Sequence, residues 1–150
     1  MIEAKEHSIN LRPIGIVHSP FKNVDSAPRQ PQKARGVEGL VTVFPKYRDG
    51  LKDLDGFSHI ILICFFHLAL DYSLTVIPRD EKELRGLFST RSPNRPNPLG
   101  ISIVRLTEID GCNLQIQDLD IIDGTPLLDI KPFYRSLDDQ EDVISGWMNR

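Results

Sequence analysis

The chain has 150 residues, of which 40% are hydrophobic and 26% charged, with a formal net charge of −3. These values are typical of one globular domain over residues 1–150 and argue against a nonspecific nucleic-acid binder, which is usually basic. The longest apolar run, residues 60–66, is too short to span a bilayer. Two cysteines make no disulfide framework and the charged N-terminus has no signal-peptide core, so we expect a cytoplasmic protein outside the membrane.

Short alternating apolar segments dominate the chain after a lead-in at residues 1–10. They predict strands at 11–18 and 36–44, a short helical segment at 46–56, a strand buried on both faces at 57–68, short strands at 74–78 and 84–89, a hairpin of 101–109 with 114–122, a turn at 123–126 and a strand at 127–132. Asp138, followed by Glu141, predicts the cap of a helix over 138–147.

The apolar parity flips inside both strands of the hairpin, which predicts a bulge in each. The strands do not alternate with long helical patterns, so a parallel α/β sheet is disfavoured. The pattern favours a mainly β protein, an antiparallel barrel or closed sheet with short peripheral helices.

A stiff loop at residues 85–100 (RGLFSTRSPNRPNPLG) is the most distinctive stretch. Its three prolines forbid helix, and no Asp or Glu occurs between Arg85 and Thr107. Unneutralised guanidinium groups on a rigid loop suit a carboxylate or phosphate ligand. The alternative is a surface loop whose arginines bond backbone carbonyls or distant carboxylates.

The sequence contains no P-loop, no G-x-G-x-x-G motif and no nucleophile elbow, which disfavours a Rossmann-type cofactor fold. Scattered histidines such as His59 and His67 lie too far apart on one strand to share a metal, and we predict none. Asp120, Asp123 and Asp129 lie at strand ends, where they either form turns or bind a ligand's amine or ribose hydroxyls.

Five ordered motifs give the chain a family resemblance: residues 14–22 (IGIVHSPFK), 27–31 (APRQP), 54–59 (LDGFSH), 85–100 and 119–133 (LDIIDGTPLLDIKPF). From about residue 12 to 134 the chain resembles the TsaA-like (TrmO-type) family. The resemblance implies a single-sheeted β-barrel and an S-adenosylmethionine-dependent tRNA adenine N6-methyltransferase, acting on (threonylcarbamoyl-)adenosine next to the anticodon. It also implies a homodimer with the cofactor near the subunit interface. Bacterial members carry a C-terminal extension that we expect this chain to lack, which leaves the substrate open.

Carried onto this sequence, the resemblance implies a set of cofactor contacts, with a backbone contact expected at position 67. They are Pro28, Arg29, Gln30, His67, Leu68, Arg91, Ile101, Asp120, Ile121, Ile122 and Asp123. Asn97, between two prolines, is the candidate acceptor for the target amine, by analogy with the Asn-Pro pairs of other amine methyltransferases. Arg95, Arg35 and Lys33 are candidates for tRNA phosphates.

Two other functions stay open. The short chain and net charge of −3 are compatible with an S-adenosylmethionine-binding regulator, or a methyltransferase for a small molecule or protein. A non-enzymatic dimeric barrel is the third possibility. Salt-dependent tRNA binding separates the first two functions, and failure to bind any adenosine cofactor supports the third.

Overall fold

The computed structural model describes residues 7–28, 31–135 and 142–148. Eight strands occur in this part of the chain: β1 Gly15–His18, β2 Glu38–Val43, β3 His59–Phe65, β4 Thr75–Val76, β5 Arg85–Gly86, β6 Leu99–Asp110, β7 Asn113–Gln117 and β8 Thr125–Pro132. Short 3-10 turns lie between or after them, at Pro31–Ala34, Pro45–Leu51, Leu54–Gly56, Leu87–Ser89 and Gly146–Met148.

Six strands close into one barrel in the order β1-β2-β7-β6-β3-β8, and β8 pairs back onto β1. Every neighbouring pair is antiparallel. Strands β4 and β5 form a separate two-stranded sheet within the long β3–β6 connection. The predicted antiparallel barrel is confirmed.

The core fills the barrel with one side chain from every second strand position. The fully buried members include Val17, Val41, Ile60, Leu62, Val104, Leu114, Ile116 and Leu127. Burying each such side chain stabilises the fold by roughly 1.5–3 kcal/mol. The predicted β6–β7 hairpin is confirmed, since Asp110 pairs with Asn113 and Gly111 takes a φ of 60° in the tight turn.

The parity flips have a different cause from the predicted bulges. Strand β6 pairs with β3 without interruption from Leu99 to Arg105, and Ile101 and Ile103 simply point outwards, 68% and 51% exposed. The register of β6 shifts later, between Leu106 and Glu108. In the second partner, β7 ends at Gln117, so the later apolar residues belong to a loop.

Three further predictions need correction. Strand β3 alternates instead of being buried on both faces, with Phe65 39% exposed on the outer side. The segment 84–89 is a two-residue strand followed by a 3-10 turn. The short helical segment predicted over 46–56, by contrast, is present as the two 3-10 turns Pro45–Leu51 and Leu54–Gly56. Of the predicted helix over 138–147, residues 138–141 lie outside the described part, and among the rest a 3-10 turn begins only at Gly146.

Candidate functional site

One rim of the barrel, here called the upper rim, is where three connections meet. The strand ends at this rim are His18, Glu38, Phe65, Leu99, Gln117 and Thr125. Because neighbouring strands run antiparallel, the β1–β2, β3–β6 and β7–β8 connections all leave from the same side. Every cofactor residue implied by the resemblance lies in one of these connections, except Ile101, which is the third residue of β6.

The β7–β8 connection, residues 118–124, closes the upper rim and is here called the plug. Leu119 and Ile121 point into the barrel and are 0% and 3% exposed. Leu119 rests on Gly39, where an added Cβ would lie 2.2 Å from Leu119 Cδ2, so a larger residue at position 39 would have to displace the Leu119 side chain. The alternate residues, Asp120 and Ile122, are half-buried. The plug therefore holds a carboxylate at the mouth of an apolar barrel.

Asp120 is held by one hydrogen bond to a neighbouring strand. Ser102 Oγ donates to Asp120 Oδ1 at 2.7 Å. Burial, and secondarily the charge of Asp120, raises the pKa of the Cys64 thiol to about 12. Cys64 is thus a neutral core side chain at physiological pH and not a nucleophile. Asp120 Oδ2 accepts no hydrogen bond from the described residues.

Asp123 is more fully engaged than Asp120. Its Oδ1 accepts from the Ser19 backbone at 2.9 Å, and its Oδ2 accepts from Lys22 Nζ at 2.8 Å. These two hydrogen bonds hold the pKa of the Asp123 carboxyl below its usual value of 3.8, and the bond from Lys22 has the larger effect. Asp123 therefore ties the β1–β2 connection to the plug through its side chain.

A shallow cleft of about 420 Å³, largely open to solvent, lies beside Asp123 on the outer face of β1, β2 and β7. His18, Lys22, Glu38 and Gln115 are among its lining residues. Of the implied cofactor residues that the structure describes, Asp123 alone lines this cleft. The cleft and the upper rim therefore meet at Asp123.

The two ends of the β3–β6 connection are tied together. Phe66 N donates to Pro98 O at 2.7 Å, and Leu70 N donates to Asn94 Oδ1 at 2.9 Å. The Phe66 ring lies directly over the Cα of Gly100. These contacts hold His67 and Leu68 beside the start of β6, where Ile101 lies.

The arginines of the stiff loop differ in what they contact. Arg95 Nη1 donates to Thr90 O and to Ser92 O, both at 3.0 Å. This is the alternative role that the sequence left open for these arginines, and it makes Arg95 a brace of the loop. Arg91 is exposed and forms no hydrogen bond or ion pair with any residue that the structure describes. Asn97 is also exposed, and its backbone carbonyl accepts from Leu99 N at 2.7 Å.

The β1–β2 connection carries the remaining implied residues. Arg29 and Gln30 lie outside the described residues, and Pro28 is half-buried beside them. Lys33 and Arg35 are exposed on either side of the buried Ala34.

A hydrogen bond fastens this connection to the plug. Gly36 N donates to Asp118 Oδ1 at 2.7 Å, across 82 residues of sequence. Lys33 and Arg35 are thereby brought to the same rim as Asp120.

Comparison with known proteins identifies the family of the chain. Residues 16–139 match the model of the tRNA-methyltransferase O N-terminal domain. The chain belongs to this family. It is 53% identical, over 95% of its length and 77% of that protein, to a probable S-adenosyl-L-methionine-binding protein of Pyrococcus abyssi.

Two further TrmO relatives carry more specific descriptions. The chain is 35% identical, over 84% of its length and 58% of that protein, to the tRNA (adenine(37)-N6)-methyltransferase of Escherichia coli. The crystal structure of TrmO from Pseudomonas aeruginosa matches with a TM-score of 0.79 at 34% identity, covering 93% of this chain and 62% of that one. The fold is thus the TrmO barrel, and the chain spans about three fifths of the length of these two relatives.

The described part of the chain lacks both a membrane-spanning helix and a metal-binding cluster. No helix among them is long and apolar enough to cross a membrane. No group of three or more His, Cys, Asp or Glu side chains among residues 7–28, 31–135 and 142–148 is arranged to hold a metal ion.

Sequence reasoning missed two features of this part of the chain. Ser102 is a polar residue at an inward position of β6, in phase with Val104 and Leu106, and that misplaced polarity was the available signal. The second is Trp147, whose Nε1 donates to Ser89 O at 3.0 Å. Nothing in the local sequence pairs two residues 58 positions apart, so this contact had no signal.

Proposed function

We propose that this TrmO-family chain binds S-adenosylmethionine at the upper rim and methylates the exocyclic amine of adenosine, or threonylcarbamoyl-adenosine, next to a tRNA anticodon. The observation that carries the proposal is the convergence of three connections, distant in sequence, on one rim. The relatives named as S-adenosylmethionine-binding protein and tRNA (adenine(37)-N6)-methyltransferase support it.

The residues at the rim suit the chemical groups of S-adenosylmethionine. Arg91 is exposed and unpaired among the described residues, and its guanidinium can hold a carboxylate through two parallel hydrogen bonds. Asp120 offers Oδ2 to an amine or to ribose hydroxyls while Ser102 holds Oδ1. Leu68 and Ile101, 44% and 68% exposed, offer apolar surface to a purine. When bound, the cofactor supplies an electrophilic methyl group on its sulfonium.

Asn97 is the residue proposed to orient the target amine. Methyl transfer is an in-line displacement that depends chiefly on positioning. The side-chain oxygen of Asn97 can accept a hydrogen bond from the amine, which would aim the nitrogen lone pair. Its backbone is stiffened by Pro96 and Pro98 and by the bond from Leu99 N. Exposed Lys33 and Arg35 are proposed to hold tRNA phosphates.

The outer face of β3 and β6 supports the proposed homodimer. Phe65, Leu99, Ile101 and Ile103 lie side by side there and are each at least 39% exposed. Contiguous exposed apolar surface of this kind marks a contact site. Ile101 belongs to both this face and the proposed cofactor site, so dimerisation would bring the partner close to the cofactor. Ile103→Glu should convert the dimer to a monomer in sedimentation.

A second function is favoured by the net charge of −3 and by relatives named only as S-adenosylmethionine-binding proteins. In this alternative the chain is a cofactor-binding regulator, or methylates a small molecule or protein. A TrmO-type enzyme should bind tRNA with an affinity that falls steeply with salt, because phosphate contacts release counterions. The alternative predicts no such dependence.

A cytoplasmic site of action, where both cysteines stay free, is part of our proposal.

The test is calorimetric titration with S-adenosylmethionine, with and without unfractionated tRNA, followed by transfer of a radiolabelled methyl group. Nucleoside analysis of the digested tRNA identifies the product. Binding near one site per chain and label in N6-methylated adenosine support the proposal. Binding without tRNA labelling favours the second function, and no binding with or without tRNA rejects both.

A further inference from the structure

Phe88 is an aromatic side chain left in solvent next to the proposed site. It is 74% exposed, although it belongs to the 3-10 turn Leu87–Ser89, whose first residue Leu87 is buried. The turn is anchored by Leu87, so Phe88 is not needed for packing. A large exposed ring on an anchored turn has the properties of a binding surface.

Two arginine side chains lie close to aromatic rings in or beside this turn. The Arg95 guanidinium carbon lies 5.9 Å from the centroid of the Phe88 ring, and that of Arg85 lies 5.1 Å from the centroid of the Trp147 ring. Trp147 is bonded through Nε1 to Ser89 O, one residue after Phe88. We call these four side chains, Arg85, Phe88, Arg95 and Trp147, the aromatic ledge.

The ledge is organised before any ligand arrives. Arg95 is held by its bonds to Thr90 O and Ser92 O, and Arg85 Nη2 lies 2.7 Å from Glu83 Oε2. Binding would therefore cost little ordering of these side chains. Arg95 is two residues from Asn97, so their Cα atoms are at most about 7 Å apart.

The chemistry of the ledge favours an unpaired nucleobase over other ligands. Unstacked bases bind to aromatic rings and to the flat faces of arginines, while nearby cations hold the phosphates. Arg91 is exposed on the same loop, no acidic residue occurs from Arg85 to Thr107, and the nearby Glu83 carboxylate is paired with Arg85. A second copy of the chain is better accommodated by the exposed apolar residues Phe65, Leu99, Ile101 and Ile103 on the outer face of β3 and β6.

We infer that the aromatic ledge stacks an unpaired base of the RNA substrate, adjacent to the adenosine presented to Asn97. The inference rests on the proposed function and adds to it a subsite for a flanking nucleotide. It also assigns a role to Trp147, which lies beyond the family-matched residues 16–139.

The experiment measures binding of a synthetic anticodon stem-loop RNA to Phe88→Leu and to the unaltered chain. Labelled-RNA anisotropy gives the affinity, and fluorescence of Trp147, the single tryptophan, reports stacking directly. Loss of one base-stacking contact should weaken RNA binding roughly 5- to 150-fold. Phe88→Tyr keeps an aromatic ring and should bind the RNA as tightly as the unaltered chain. The S-adenosylmethionine affinity of both variants should stay within about two-fold of that of the unaltered chain.

Tyr134→Leu is the matched control, because it removes an exposed aromatic ring just after β8, at the opposite end of the barrel. It should leave RNA affinity unchanged. Equal RNA affinity for Phe88→Leu and the unaltered chain overturns the ledge while leaving the proposed function intact. No RNA binding by the unaltered chain overturns the tRNA function itself. If Phe88→Leu instead lowers cofactor affinity or the sedimentation coefficient, the ring belongs to the cofactor site or the dimer, and the inference is wrong.

Discussion

Gly100→Ala tests the contact that joins the β3–β6 connection to the barrel. Gly100 is the second residue of β6 and pairs with Cys64. A Cβ at this position would lie 1.9 Å from Phe66 Cζ and 2.5 Å from Phe66 Cε1. The methyl group cannot be accommodated unless the ring moves.

The size of the effect follows from this geometry. Carbon atoms need about 3.5 Å of separation, so the Phe66 ring must retreat by about 1.5 Å. Its backbone cannot follow freely, because Phe66 N is bonded to Pro98 O. Overpacking of this kind costs about 1–3 kcal/mol. We also expect weaker S-adenosylmethionine binding, because His67 and Leu68 directly follow the displaced ring.

Urea denaturation followed by far-ultraviolet circular dichroism measures the free energy of unfolding. Gly56→Ala is the matched control, since a Cβ there meets nothing within 4 Å. In a double-mutant cycle with Phe66→Ala, the combined loss should fall short of the sum by about 0.5–3 kcal/mol. If Gly100→Ala is as stable as Gly56→Ala, or the cycle shows no coupling, the packing of Phe66 on Gly100 is refuted.

Three further outcomes are expected. Arg91→Ala should abolish S-adenosylmethionine binding in calorimetry, because hydrogen bonds to charged groups contribute about 1.5–3 kcal/mol each; unchanged affinity would reject the assignment. Asn97→Ala should keep cofactor affinity but lose turnover by roughly 100-fold, and wild-type turnover would exclude its role. Lys22→Met should lower stability by about 0.2–1 kcal/mol at neutral pH, because the Lys22 side chain is 70% exposed. Because the pKa of Asp123 is lowered in the folded state, the difference in unfolding free energy between Lys22→Met and the unaltered chain should persist above pH 3.8 and vanish as the pH falls through the folded pKa. A difference that stays constant across pH in denaturation experiments contradicts this prediction.

Local patterns were sufficient for the strands and the tight turn. The period-two alternation of apolar residues and the Asp110-Gly111 turn signal are both read from residues close in sequence. The predicted segments that contain them overlap the six strands of the barrel. The resemblance of the motifs to a family was also contained in the chain, and the family match over residues 16–139 agrees with it. The residues implied for the cofactor remain a prediction.

Pattern alone misjudged which apolar residues face solvent. Ile101 and Ile103 are exposed on the barrel exterior, and the flip they produce in the apolar parity is the same flip that a bulge produces. Outward apolar residues and register shifts both break alternation, so one chain cannot distinguish them. Only the continuous pairing of β6 with β3 separates the two causes.

Tertiary structure alone decided which residues distant in sequence meet. Ser102 bonds Asp120 across 18 residues, the Ser19 backbone bonds Asp123 across 104, and Trp147 bonds Ser89 across 58. Such contacts depend on barrel closure and strand stagger, which are properties of all six strands together. Short-range sequence determines the elements, while contacts between distant residues exist only once the closed sheet has brought them together.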